Sequence, residues 1–287
     1  MLIKKYYKLV RVSHEDSEYL RITNISNEAG NFSILKQGSP NPQYAPNLEY
    51  SLDCVNWNSY DFSTLPTVLV SPGSNIYFRG NNTTSARFNQ HNSNSNYWNF
   101  HFDKNYNLYG CISSLITKDP NDFSTITTIN SFAFYSLFRD ETNLINSYIN
   151  TGNIQSIDEN TFTSFFYGCT NLVTAGDFSS ITTLVYGSNF TQAFTNTKIT
   201  EGIDLTNITT VPTLAIGNMY FRCTKLTKAY APNIQDLTDH NILSGWLQSA
   251  GTDVPAGTTK EVYVPAGATI STNSDNGIPT GWTRVDY

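Results

Sequence analysis

The residues of this chain best suited to nucleophilic or metal chemistry are four cysteines (Cys54, Cys111, Cys169, Cys223) and four histidines (His14, His91, His101, His240). Neither set has the spacing that such chemistry needs. No C-x-x-C pair occurs, and no cysteines stand at a structural-zinc interval. The histidines form no H-E-x-x-H run and no Ser/His/Asp set. Glu15-Asp16 and Asp140-Glu141 are adjacent acids; adjacency sends the two side chains to different faces, so both pairs read as solvated loop charges. No phosphate loop or dinucleotide fingerprint is present. The sequence therefore predicts no catalytic residue, no cofactor and no metal.

Cys169 sits in "FFYGCTNL", Phe165 to Leu172, and this stretch recurs. "LFRDETNL" (137–144), "AFTNTKI" (193–199) and "YFRCTKL" (220–226) repeat its pattern. Taking Phe138, Phe166, Phe194 and Phe221 as anchor aromatics gives steps of 28, 28 and 27 residues. A second marker keeps the same beat: Ile126, Ile154, Ile181, Ile208 and Ile234 are spaced by 28, 27, 27 and 26. Cys169 is thus first a repeat position, shared with Cys223 and filled by Thr197 between them. If the copies stack about 5 Å apart, Cys169 and Cys223 lie roughly 10 Å from one another, beyond disulfide reach. They read as small apolar wedges between turns.

Each repeat must therefore be a unit that cannot bury its apolar face alone and stacks on its neighbours. Phe134/Phe138, Phe162/Phe166 and Phe190/Phe194 are i,i+4 pairs, which predict a short helical turn next to a short strand in every copy. Before about residue 118 the pattern changes to period two. "TVLVSPGSNIYFRG" reads as a hairpin around Pro72-Gly73. In "NYWNFHFD", Trp98, Phe100 and Phe102 alternate with Asn99 and His101 as in a half-buried strand, and "LEYSLDCVNW" supplies another strand ending in a turn that packs Trp57. These predict an antiparallel β-sandwich over residues 39–118. Residues 1–38 contain the strand-like runs "KKYYKLVRV" and "EYLRITNI", and the proline-bearing "SPNPQYAP" after them reads as a stiff linker. The expected organisation is mainly β with short helical turns: an N-terminal β arm (1–38), the sandwich (39–118), and a solenoid with its C-terminal cap (119–287).

Composition narrows the function. Charged residues make up 14% of the chain, against about 25% in ordinary globular proteins, and Asn, Thr and Ser fill the difference. With 18 Tyr, 17 Phe and a net charge of -6, the chain is unlike a nucleic-acid binder, which replaces phosphate counterions with Lys and Arg. Its main basic cluster is Lys4, Lys5 and Lys8. Tyr, Asn, Ser and Thr are the residue types that paratopes use for contact, and Tyr186, Asn207, Tyr220 and Tyr230 are candidates for an exposed binding face. No apolar run reaches signal-peptide or membrane-spanning length.

"FFYGCTNL" and "YFRCTKL" resemble the F-x-x-C-T-x-L signature of BspA-type leucine-rich repeat proteins of gut anaerobes and their tailed phages. The ending "NGIPTGWTRVDY", together with "LEYSLDCVNW" and "IYFRGNNTT", extends the resemblance over roughly Leu48 to Tyr287. It implies a leucine-rich-repeat-like solenoid used for binding or adhesion rather than chemistry. "SLDCVNW" is also similar to the Asp-box turn S-x-D-x-G-x-x-W, but lacks the glycine and is one residue short. The resemblance places such binding on cell surfaces or virions, and the leading expectation is a phage virion protein, a head or tail fibre or decoration. Capsid or tail proteins are its expected partners through the N-terminal arm, and host surface glycans or proteins through the repeats. A homotrimer is expected, with no nucleic acid and no membrane insertion. A bacterial surface adhesin and a glycan-binding module are the alternatives.

Overall fold

Alternating burial builds the first half of the chain. The computed structural model describes residues 18–37, 44–89, 97–238 and 241–287. In β1 (Leu20–Asn24) every second residue is buried, and β2 (Gly30–Gln37) starts with the same alternation. Two sheets face each other across these apolar rows. One sheet has the order β5 (Val68–Val70), β2, β7 (Tyr97–Phe102). The other runs β10 (Leu144–Asn150), β8 (Tyr106–Cys111), β1, β6 (Asn75–Arg79), β3 (Glu49–Ser51), β4 (Asn58–Ser59).

This topology corrects three expectations. β1 lies between β6 and β8, and β2 between β5 and β7, all antiparallel. Residues 20–37 are therefore inner strands of the sandwich, and no separate arm includes them. "KKYYKLVRV", the basic cluster, residues 39–43 of the linker, His14, His91, His240 and Glu15-Asp16 lie outside the described residues. The two runs around Pro72-Gly73 are strands, but β5 and β6 belong to different sheets. The turn, with Gly73 at φ +70°, carries the chain from one sheet to the other instead of closing a hairpin. Third, the sandwich also takes in β10, from within the first repeat.

Among the described residues no α-helix occurs, and the two 3-10 turns Ile112–Leu115 and Pro120–Thr125 lie ahead of the first anchor aromatic. Where helical turns were expected, each copy runs as a chain of overlapping tight turns. Tyr135, Leu137 and Arg139 donate their N–H to the carbonyls three residues back, at 3.1, 3.3 and 3.1 Å. The intervening amides point along the stack: Phe134, Ser136 and Phe138 donate to Thr161, Thr163 and Phe165 of the next copy at 3.1, 3.0 and 3.0 Å. Every fourth residue has positive φ, as at Asn160, Ser164 and Gly168, then Ser188, Gln192 and Asn196. Gly, Asn and Asp enter this region at least cost, which suits Asn160, Asn196 and Asn218 to these positions. A period of four keeps i and i+4 on one face, so the Phe pairs point inward as a helix would have placed them.

Successive copies pair in parallel register through β9 (Thr128–Ile129), β11 (Ser156–Ile157) and β12 (Thr183–Leu184). A second ladder begins at β10, which pairs parallel with β8, and ends in β13 (Lys228–Tyr230), β14 (Glu261–Val264) and β15 (Thr283–Asp286). Inside, Phe138, Phe166, Phe194, Tyr220 and Trp246 form one column with centroid spacings of 5.7, 5.7, 5.7 and 6.4 Å. The fourth anchor is thus Tyr220 rather than Phe221, and Trp246 marks a fifth copy. The column continues through Phe100, 5.5 Å from Phe138, to Phe78 and Phe32 in the sandwich core. At the other end Trp246 donates to the Gly277 carbonyl at 2.7 Å, beneath the closing segment.

Two outcomes test this packing. Phe166 is fully buried between two rings, so Phe166→Ala is expected to cost about 3–5 kcal/mol in denaturant unfolding; a loss below about 0.5 kcal/mol, typical of surface positions, would contradict the register. Deleting residues 1–38 removes β1 and β2 and is expected to abolish the near-UV signal of the sandwich aromatics. A natively folded truncation would show that these strands are dispensable.

Candidate functional site

The cysteines build structure. All four are free. Cys169 and Cys223 are fully buried, and their Sγ atoms donate to the carbonyls of Phe138 and Phe194, one copy back, at 3.0 and 2.9 Å. Burial pushes the Cys223 thiol up to about 12 and the Cys169 and Cys111 thiols upward as well. These protonated groups are poor nucleophiles.

In the first copy the position of Cys169 is held by Glu141, and this corrects its reading as a solvated charge. Its side chain is 4% exposed and accepts from His101 Nδ1 at 3.0 Å, the Phe102 N–H at 3.3 Å and the Tyr106 hydroxyl at 3.4 Å. His101 and Phe102 lie on β7 and Tyr106 opens β8, so one carboxylate ties the sandwich to the first repeat. Side-chain amides complete the seam. Asn99 donates to the Arg139 carbonyl at 2.7 Å, Asn89 to Tyr135 at 2.9 Å and Asn143 to Phe102 at 3.1 Å. Asn99, expected on a polar outer face with His101, is accordingly buried.

The Asp-box-like turn is also structural. Asp53 accepts from the Asn56 and Val55 amides at 2.7 and 2.9 Å and from Ser51 Oγ at 2.9 Å. These bonds, the Asn56 amide foremost, hold its carboxyl well below the usual range. The turn joins β3 to β4, and Trp57 beyond it packs on Tyr19 and under Arg79.

The four candidate binding residues separate. Tyr220 is fully buried in the aromatic column, because it occupies the anchor position that Phe221 was expected to hold. Tyr186 is 63% exposed and follows β12, on the first ladder. Tyr230 and Asn207 border the second ladder. Tyr230 stacks on Tyr263 with centroids 4.9 Å apart and donates its hydroxyl to Glu201, while Asn207 donates to the Ser179 carbonyl at 2.8 Å. Glu201 and Ser179 both line a groove of about 850 Å³.

This groove is a gap in the second ladder. Its two walls are 173–177 and 200–204, in neighbouring copies that are joined beyond its ends by Lys198 N–H to Leu172 at 2.9 Å and Thr209 N–H to Thr182 at 3.0 Å. Among the described residues no backbone hydrogen bond joins 173–177 to 200–204. Tyr220 supplies a reason. Its hydroxyl accepts the Ile203 N–H at 3.0 Å, so that amide turns inward. Gly202 makes room for it, since a Cβ there would lie 2.7 Å from the same oxygen. Beyond 173–177 the lining continues to 147–150 in the preceding copy, where Tyr148 is 49% exposed and stacks on Tyr109 at 5.1 Å. Asp177, Glu201 and Asp204 are the only charged lining residues. Sequence reading missed Tyr148 and the three acids; the available signal was that Tyr148 stands three repeat lengths before Tyr230.

No family model matches the chain, and no curated protein or solved structure matches it either. Among the described residues no helix is long and apolar enough to cross a membrane, and no group of three or more His, Cys, Asp or Glu is placed to hold a metal ion.

The junction generates a pH prediction. The hydrogen bond to Glu141 raises the His101 pKa above 6.5, against an opposing effect of burial. Burial raises Glu141 above 4.5 despite His101. A group whose pKa is higher folded than unfolded stabilises fully below its unfolded value and loses that contribution as pH rises through the folded one. For His101 the loss therefore begins above about pH 6.5. The melting-temperature advantage of wild type over His101→Gln is expected to be largest near pH 6 and to shrink toward about pH 8. A constant or widening difference would contradict the pairing.

Proposed function

We propose that the protein is a non-enzymatic phage virion component, a head or tail fibre or decoration protein whose outward-facing repeats adhere to a host or other surface. In this reading residues 119–287 are a leucine-rich-repeat-like solenoid with its cap. The observation that carries it is the open groove lined by Tyr148, which stacks on Tyr109, and by Glu201, which holds the Tyr230 hydroxyl of the second stacked pair, presented on a body whose aromatic core runs from Phe32 to Trp246. Rigid rings beside hydroxyl and amide groups give contact area at low entropic cost. The buried, protonated thiols and the structural role of Glu141 and His101 support adhesion over catalysis. Attachment to capsid or tail proteins is assigned to the sequence ahead of β1, with its basic Lys4, Lys5 and Lys8, within a homotrimer.

Mass spectrometry of purified particles, with an antibody to the repeats, tests this reading. The expected result is the chain in particles at fixed stoichiometry and an antibody that blocks adsorption. Absence from particles with recovery in bacterial envelope fractions would overturn it in favour of a bacterial surface adhesin.

A further inference from the structure

We infer that the groove between residues 173–177 and 200–204 binds a neutral glycan chain laid across the coils from Tyr148 toward Tyr230. The inference rests on the adhesive reading above and names the ligand class of that same groove.

The first argument is the pair of ring platforms. Tyr148 is held against Tyr109, and Tyr230 against Tyr263, with interplanar angles of 24° and 22°. Each ring is thus fixed before any ligand arrives, which lowers the ordering cost of binding. Two rungs of the stack separate Tyr148 from Tyr230. At about 4.8 Å per step the platforms are at least roughly 14 Å apart, a span that calls for an extended ligand of several units. Flat apolar faces with hydroxyls around their rims suit such platforms, and sugar rings have that form.

The polar groups between the platforms are acceptors with fixed directions. Asp177 Oδ1 accepts the Ser179 N–H at 2.9 Å, and Asp204 Oδ1 accepts the Thr206 N–H and Oγ1 at 2.8 and 2.7 Å. Glu201 Oε1 accepts the Tyr230 hydroxyl. Each carboxylate is therefore oriented through one oxygen, and the other remains to take hydroxyl donors, to which carboxylates are strong acceptors. Ser147, also in the lining, has a buried hydroxyl without a hydrogen-bond partner among the described residues.

Charge and backbone exclude the competing ligands. Lys228 approaches Glu201 at 4.0 Å from outside the groove, but Asp177, Glu201 and Asp204 stand in the lining with no Lys or Arg among those residues, so sialylated or sulfated glycans meet net like charge and are disfavoured. A peptide strand would have to complete the interrupted ladder with main-chain bonds. The Ile203 amide is already committed to Tyr220, so the wall at 200–204 cannot serve as a full template.

The test is a glycan array probed with the full-length chain, carrying neutral hexose and N-acetylhexosamine oligosaccharides, their sialylated and sulfated counterparts, and an extended basic peptide. Neutral oligosaccharides of about four or more units are expected to bind. Acidic counterparts should bind at least about tenfold more weakly, since 1.4 kcal/mol of differential contact suffices for that factor. Tyr148→Ala and Asp204→Asn, both at exposed positions, should each reduce binding by about tenfold or more with an unchanged melting temperature. Binding of no neutral glycan, preference for acidic glycans or the peptide, or neutral-glycan binding unaffected by both substitutions would overturn the inference. Particle incorporation and antibody-blocked adsorption that persist under any of those outcomes would leave the adhesive reading standing and move its surface elsewhere. Loss of both would remove that reading as well.

Discussion

The structure depends on one backbone constraint. In each copy of the repeat alternate amides are satisfied three residues back, and the others are satisfied only by the carbonyls of the next copy. A buried amide without a partner costs as much as a lost hydrogen bond, so no copy is complete alone. This lateral ladder fixes which residues meet along the stack. Phe138 must meet Phe166, and Cys169 must find the Phe138 carbonyl. The repeated aromatics, the buried thiols and the Asn, Ser and Gly residues at positive φ are separate consequences of the same register.

A ladder of this kind needs ends, and the sandwich provides one by imitating a copy. β7 and β8 belong to different sheets, and each meets the first copy separately. The Phe100 amide donates to the Leu137 carbonyl at 2.8 Å, as Phe138 does to the following copy, and β8 pairs in parallel with β10. Phe100 accordingly takes its place in the aromatic column. Where later copies have Cys or Thr, the first has Glu141, because its neighbour is a sandwich edge carrying His101, the Phe102 amide and the Tyr106 hydroxyl. At the far end Tyr220 and Trp246 replace phenylalanine in the column, and their polar atoms reach Ile203 and Gly277. Each polar substitution in the column comes with a local break in the simple repeat, and the break at Tyr220 accompanies the groove.

Much of this was legible in the sequence, for identifiable reasons. The 28-residue beat, the burial of Cys169 and the inward placement of Trp98, Phe100 and Phe102 follow from periodicity; the burial of Asn99 between them does not, because its amide is drawn into the seam by the Arg139 carbonyl. The helical turns were misread because i,i+4 pairs occupy one face at a period of 3.6 and at a period of four alike; only the positive φ at Ser136 or Gln192 separates the two. Phe221 was preferred over Tyr220 by residue type, although the contraction to a 26-residue step placed Tyr220 inside. The sheet change at Pro72-Gly73 and the central positions of β1 and β2 are long-range pairings that a local pattern does not encode. The groove was half legible: Tyr230 and Asn207 bond to its lining residues Glu201 and Ser179, while Gly202 and the acids became meaningful only through the ladder they interrupt.

The central claim is that sandwich and repeats form one cooperative body, joined by β10, Glu141 and the shared aromatic column. Differential scanning calorimetry of the full-length chain tests it most directly. A single transition whose calorimetric and van't Hoff enthalpies agree is the result this account requires. Two resolved transitions, one for the sandwich and one for the repeats, would contradict it.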